Sequence, residues 1–340
     1  MKQTFSLFLI SILLFSGCSP EEPVLTKRTV PLMGTFVEVR VWGDKENTNE
    51  IIDETLEFAG TFEEKFNIFS TKSEINQLNL KKKAEVSPEL YEVLDISKQV
   101  SATTDGEFDV TVGPMLKHSG FYAEMPESIR SMIPDRYERG DWKNVTLISP
   151  DHVFLDGGVW VDASGIAKGY IVDKMAAFLA EKKVKFFLVN AGGDIYCGKK
   201  KEDGKWMIGL RGPASKSALL VLALSEKAVA TSGDYENCTI DVKTSEELSH
   251  IVNPAVPCVM KKNFSSMTVI ASTCAVADAL ATAMMAMGKE KAIALANTID
   301  GVEVISVTSP NGKCEVNYSA GAEKYVAMVG CAVSLEGDDK

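Results

Sequence analysis

The stretch Met267-Thr268-Val269-Ile270-Ala271, with Ala277-Asp278-Ala279-Leu280-Ala281-Thr282-Ala283-Met284-Met285 a few residues on, decides how this chain folds. The first part reads as a strand leading into a helix. The second is that helix: Ala, Leu and Met are strong helix formers, and no Gly or Pro interrupts until Gly288. It is apolar nearly all round, the pattern of a buried helix. Only Asp278 and Thr282 break it, and four residues apart they share one face. A carboxylate is almost never fully buried without a partner. A hard cation would satisfy Asp278, and the Thr282 hydroxyl adds a second oxygen; Mg²⁺ takes such ligands and usually shares its shell with substrate phosphates. The alternative is a first-turn Asp favoured by the helix dipole, with Thr282 bonding back to a carbonyl. The pair leaves both open.

Outward from this helix, strands and helices mix without strict alternation. Phe36 to Trp42 alternates as a strand, with Val37, Val39 and Val41 on one face. Glu50 to Phe66 has a helical apolar period. Ser87-Pro88-Glu89 opens a helix running to about Thr103, with an N-cap Ser and Pro at the first position. Val145 to Leu155 reads as one strand, Ile166 to Glu181 as a helix and Lys185 to Asn190 as a strand. Strands are also expected at Trp206–Leu210, Ala218–Leu224, Val302–Val307 and Tyr325–Val329. The fold class is therefore α+β, with mixed β-sheets and packed helices.

The first residues look like a secretion signal. Met1-Lys2 is basic, and Phe5 to Phe15 is apolar but too short to span a bilayer as a helix. Leu14-Phe15-Ser16-Gly17-Cys18 resembles a bacterial lipobox, with Phe15 where Leu is commoner. This predicts a signal peptide over 1–17, a lipid on Cys18, a tether over 18–26 and a folded domain over 27–335. The mature protein is then anchored to a membrane on its extracytoplasmic, periplasmic side without spanning it. Hydrophobic residues make up 45% and charged residues 24%, the balance of a globular protein with a full core. A net charge of −11 argues against a nucleic-acid partner. Besides Cys18 there are six cysteines, none in a CxxC pair, and only three histidines, so a zinc site is not expected.

Four regions concentrate Gly, Asp and Thr as a packed core does not require: Met33-Gly34-Thr35, Thr104 to Thr111, Asp162 to Tyr170 with Asn190 to Asp194, and Thr231 to Tyr235. Gly lets backbone approach a ligand closely. A loop turning into a helix presents free N–H groups to phosphate, and Asp162 to Lys168 fits that, with a cation beside it. Gly192-Gly193 alone reads as a tight turn. As a set, the oxygen ligands, Gly-rich loops and one Lys suit a diphosphate with Mg²⁺.

These segments resemble the ApbE family, the FAD:protein FMN transferases. The matching motifs run in order along nearly the whole mature chain: Met33-Gly34-Thr35, Gly106-Glu107-Phe108-Asp109, Asp162 to Asp173, Asn190 to Asp194, Thr231-Ser232-Gly233, His250 to Pro254 and Asp278 to Thr282. The resemblance implies an ApbE-like, T-fold-like architecture and an enzyme that splits FAD. FMN passes to a Thr or Ser hydroxyl of an acceptor protein, expected to be a membrane redox subunit, and AMP is released. It implies Mg²⁺ held by Asp278, Thr282 and the backbone carbonyl of Gly165. It also implies FAD contacts at Met33, the Glu107-Phe108-Asp109 segment, Asp162 and Lys168, with Thr231 in a further matching segment. His250 precedes Asn253-Pro254, where many members have Asp-Pro; it is either the base for the attacking hydroxyl or a His that bonds flavin or backbone. Many members carry a flavin-packing Tyr where this chain has Phe69 or Ser70, and some members lacking it hydrolyse FAD instead. Transferase, FAD pyrophosphatase and non-catalytic FAD-binding lipoprotein thus remain three distinct expectations.

Overall fold

The computed structural model describes residues 23–135, 140–212, 218–234, 238–240, 247–254, 258–261, 265–309, 314–330 and 333–335. The expected signal peptide, Cys18 and most of the tether lie outside the described residues.

The described chain opens on a hairpin, β1 (Val24–Leu32) and β2 (Thr35–Gly43), paired from Leu32↔Thr35 to Val24↔Gly43. Its two-residue turn, Met33-Gly34, has φ of 55° and 69°, the left-handed backbone that matches the twist of hairpin strands. Asp44 caps α1 (Lys45–Phe66) by accepting from Asn47 N. Ser73 caps α2 (Glu74–Lys81), β3 (Lys83–Glu85) follows, and Ser87 caps α3 (Pro88–Thr103), as its Ser-Pro-Glu start predicts. Two short helices, α4 (Gly113–His118) and α5 (Glu127–Arg130), precede β4 (Val145–Ile148) and β5 (His152–Leu155). The single strand expected over 145–155 is thus a hairpin, Ile148↔His152. Pro150 sits in its turn, and proline cannot donate to a ladder.

Next come α6 (Ala167–Glu181), β6 (Phe187–Ala191) and β7 (Asp194–Cys197). The Gly192-Gly193 turn between these strands has φ of 62° and 105°, so the tight-turn expectation holds. Then follow β8 (Trp206–Arg211), β9 (Ala218–Leu224), β10 (Lys227–Gly233), β11 (Cys238–Ile240), β12 (Glu247–Asn253), β13 (Cys258–Lys261) and β14 (Ser265–Ala271). The chain continues through α7 (Cys274–Met287), α8 (Lys289–Ala296), β15 (Glu303–Thr308), β16 (Cys314–Tyr318), β17 (Val326–Val329) and β18 (Val333–Leu335).

The fold is the expected α+β type, built on a nine-stranded sheet in the order β1-β2-β6-β7-β10-β14-β15-β16-β18. Its pairs are antiparallel except β16 with β18. Strand alternation divides the side chains between two cores. Val37, Val39, Ala230, Val269 and Val304 join the core beneath the helices. Val229, Ile270 and Ile305 join a second core with β8 and β9, whose sheet, β17-β9-β8, covers the other face. Cys197, Cys274 and Cys314 are buried free thiols. Among the described residues no helix is long and apolar enough to cross a membrane.

Candidate active site

Helices α6 and α7 cross so closely that only glycine fits between them. A Cβ on Gly169 would sit 2.3 Å from the Cys274 carbonyl oxygen and 2.8 Å from Asp278 Cβ. The approach lets Gly169 N donate to Asp278 Oδ2 at 3.1 Å. From α6, Asp173 accepts from Cys274 N at 2.7 Å and Ala275 N at 2.8 Å, and so caps α7 across the interface. Burial raises the Asp173 pKa to about 6 against these hydrogen bonds.

The helix therefore starts at Cys274, and Asp278 belongs to its second turn. The first-turn cap alternative for Asp278 is excluded; Asp173 does that work. Asp278 is 3% exposed. Lys168 Nζ lies 3.4 Å from its Oδ2 and 2.9 Å from Asp194 Oδ2. Burial opposes the Lys168 charge, but Asp194 and Asp278 outweigh it, and the Lys168 pKa is raised. Thr282 Oγ1 meets Ser232 Oγ at 3.3 Å instead of bonding back to a carbonyl. A Cβ on Gly165 would lie 3.4 Å from Thr282 Oγ1 and 3.4 Å from the Phe108 ring. Gly165 thus neighbours Thr282, and Asp278 lies one turn before Thr282 on α7.

A cleft of about 450 Å³ opens beside this crossing. Its lining includes Met33, Phe69, Glu107, Phe108, Asp109, Asp162, Gly165, Lys168, Thr231, Asp278 and Thr282, bringing these segments together from across the sequence. His250 lies in β12, and its side chain is outside the described residues; its neighbours Ile251 and Val252 line the cleft.

Several of these residues are already engaged. Asp162 Oδ1 accepts from Ser164 N at 2.7 Å and its Oδ2 from the Tyr122 hydroxyl. Asp109, 4% exposed, accepts from Thr111 N, Thr111 Oγ1 and Trp142 N. Burial lifts the Asp109 pKa to about 6 despite those donors. Both carboxylates shape their loops. Ile166 N and Ala167 N bond to the Ala163 carbonyl. The loop before α6 therefore has fewer free N–H groups for phosphate than its sequence suggests. Thr231 bonds Thr268 through its hydroxyl at 2.9 Å. Its neighbour Ser232 is the hydroxyl turned to Thr282, as strand alternation dictates. Glu107 lines the cleft, and its Oε2 is buried and accepts no hydrogen bond from the described residues.

Sequence reasoning passed over Gly169, Asp173, Asp194, Ser232 and Tyr122. All but Tyr122 lie in the quoted motifs, but nothing in a linear pattern says which motif residues face α7.

The ApbE family model matches residues 33–306. The chain belongs to the ApbE family. It is 30% identical over 305 residues to the FAD:protein FMN transferase of Vibrio cholerae serotype O1, covering 85% of this chain and 89% of that one. The FAD:protein FMN transferase of Escherichia coli K12 is 28% identical over 306 residues, 84% and 86% of the two chains. Among solved structures, the ApbE protein of Thermotoga maritima superposes with a TM-score of 0.77 at 27% identity, over 89% of this chain and 99% of that one. The Pseudomonas stutzeri flavinyl transferase ApbE shares the fold, with a TM-score of 0.77 at 22% identity over 91% and 98%.

Proposed function

We propose that this protein passes FMN from FAD to a Thr or Ser hydroxyl of an acceptor protein and releases AMP, with Mg²⁺ held by Asp278, Thr282 and the Gly165 carbonyl. As a member of the ApbE family it is an enzyme that transfers flavin. The observation that carries the finer reading is the second-turn carboxylate of Asp278. One of its oxygens is held by Gly169 N and Lys168, and among the described residues nothing donates to the other. Beside it stand the Thr282 hydroxyl and a loop glycine. These are hard oxygen donors in the number Mg²⁺ takes when it shares its shell with phosphates.

When bound, Mg²⁺ neutralises the diphosphate and the charge developing on the leaving AMP oxygen. The chain's own residues do the rest. Lys168, at the head of α6, lines the cleft beside Asp278. Phe108, Phe121 and Phe69 give the cleft an apolar wall suited to a flavin ring, and Glu107 offers a buried acceptor. The acceptor hydroxyl attacks phosphorus of the FMN moiety, the bond to AMP breaks, and the hydroxyl proton goes to a base, for which we propose His250.

A second reading, hydrolysis of FAD to FMN and AMP, is suggested by Phe69 or Ser70 standing where many family members carry Tyr; Phe69 lines the cleft, 43% exposed. Incubating purified protein with FAD and Mg²⁺, with and without an acceptor protein, separates the readings. Covalent FMN on the acceptor is expected. FMN and AMP formed without acceptor indicate the hydrolase, and no turnover indicates a carrier. The acceptor we propose is a membrane redox subunit, met at the extracytoplasmic face through a lipid on Cys18. Cys18→Ser is expected to abolish fatty-acid labelling and leave catalysis intact; equal labelling of variant and parent would place the lipid elsewhere.

A further inference from the structure

We propose that Asp194 is a positioning residue that makes room for the metal by exchange. Lys168 lies between Asp194 and Asp278; where Mg²⁺ takes Asp278, the ammonium would rest wholly on Asp194. This inference rests on the Mg²⁺ reading of Asp278 given above.

The geometry is that of a cation with two seats. Lys168 Nζ is 2.9 Å from Asp194 Oδ2 and 3.4 Å from Asp278 Oδ2. Asp194 is 2% exposed and Asp278 3%. Two buried carboxylates flank one ammonium, and leaving either unpaired is strongly unfavourable. A divalent ion on Asp278 with Lys168 still at its side places like charges within a few ångströms, in a setting screened less than bulk water. Asp194, already the nearer seat, relieves that repulsion without stranding the lysine. Gly169 N stays on Asp278 Oδ2 at 3.1 Å and keeps the carboxylate oriented as the ammonium leaves.

Asp194 itself is fixed by its turn. It opens β7 directly after Gly192-Gly193, and Gly193 N donates to Asn190 Oδ1 at 2.9 Å. A Cβ on Gly192 would lie 2.5 Å from Thr35 Oγ1, so the turn fits tightly under β2. The second seat thus belongs to the main sheet and the first to α7, and Lys168 on α6 bridges them.

The test is a double-mutant cycle read by binding. FAD is titrated by flavin fluorescence in EDTA and in Mg²⁺, and the ratio of affinities gives the metal coupling. Mn²⁺ binding to FAD-free protein is followed by electron paramagnetic resonance of the free ion. Asp194→Asn is expected to lower the coupling by about tenfold, the lower range for residues that orient metal ligands. In a Lys168→Met background the same substitution is expected to change almost nothing, because no ammonium needs the seat. An equal loss with and without Lys168 overturns the exchange, since a plain loss of nearby negative charge behaves that way. A lower melting temperature with unchanged coupling also overturns it. If Asp194→Asn does not fold, Lys168→Met alone decides: removing the competing ammonium is expected to tighten Mn²⁺ binding, and unchanged or weaker binding overturns the exchange. Absence of coupling in the parent protein removes the metal reading of Asp278 itself, and the exchange with it.

Discussion

The two faces of the nine-stranded sheet are made from the same strands and do different work. On the face covered by β8, β9 and β17, Val229, Ile270, Ile305 and Val307 meet Leu222 and Leu224 in an apolar core. On the face covered by α6 and α7, the same strands bring Ser232 and Asp194 to Lys168, Asp278 and Thr282. On the helix side, the cleft opens beside the α6–α7 crossing at Gly169. Adjacent residues show the division: Thr231 pairs with Thr268, and Ser232 with Thr282.

The strongest way to break this comparison is Asp278→Ala. Mg²⁺-dependent turnover is expected to disappear while the protein stays folded, checked by FMN release or transfer alongside a thermal melt. Unimpaired turnover would sink the metal assignment. Next is His250→Ala, expected to slow turnover of bound FAD by roughly 10²–10⁴, the usual range for general acid–base catalysis. FAD affinity should change little. Single-turnover rates at saturating FAD beside a binding titration check this, and normal turnover with weakened binding would take His250 out of the mechanism.

The opposite face gives the contrasting case. Leu222, fully buried there, is expected on truncation to Ala to cost about 2–5 kcal/mol of stability. Turnover per folded molecule, measured well below the melting temperature, should not move; a fall matching that of the site variants would erase the distinction between faces.

The smallest effect is a pH dependence carried by the helix side. Burial raises Asp109, and Asp173 beside α7, to about 6 from 3.8. A raised carboxylate favours the folded state while protonated, so its contribution is complete below about 4. It is lost as pH rises through about 6. For Asp109 the change is at most roughly 3 kcal/mol. Denaturant melts from pH 4 to 7 check it: Asp109→Asn, neutral throughout, should gain stability relative to the parent as pH rises. A difference independent of pH would show that Asp109 is not protonated in that window.

Much of this was legible in the linear chain, for local reasons. The Ser87-Pro88 start of α3 and the all-apolar run of α7 express backbone capping and helix propensity within a few residues. The Asp278–Thr282 pair was visible because two polar groups on a buried helix need a partner wherever that helix packs. Pro150 splitting 145–155 into a hairpin was also a local effect, overlooked because the apolar pattern dominates that stretch.

What the sequence by itself determined is therefore the longer helices and several strands, the α+β class and the residue types suited to a diphosphate and a cation. The tertiary structure alone decided who faces whom. The register of β10 chose Ser232 over Thr231, the α6–α7 crossing at Gly169 gave Asp278 its backbone donor, and the Gly192-Gly193 turn brought Asp194 to Lys168. Each depends on contacts between residues distant in the chain, and one residue's change of register turns a side chain to the opposite face.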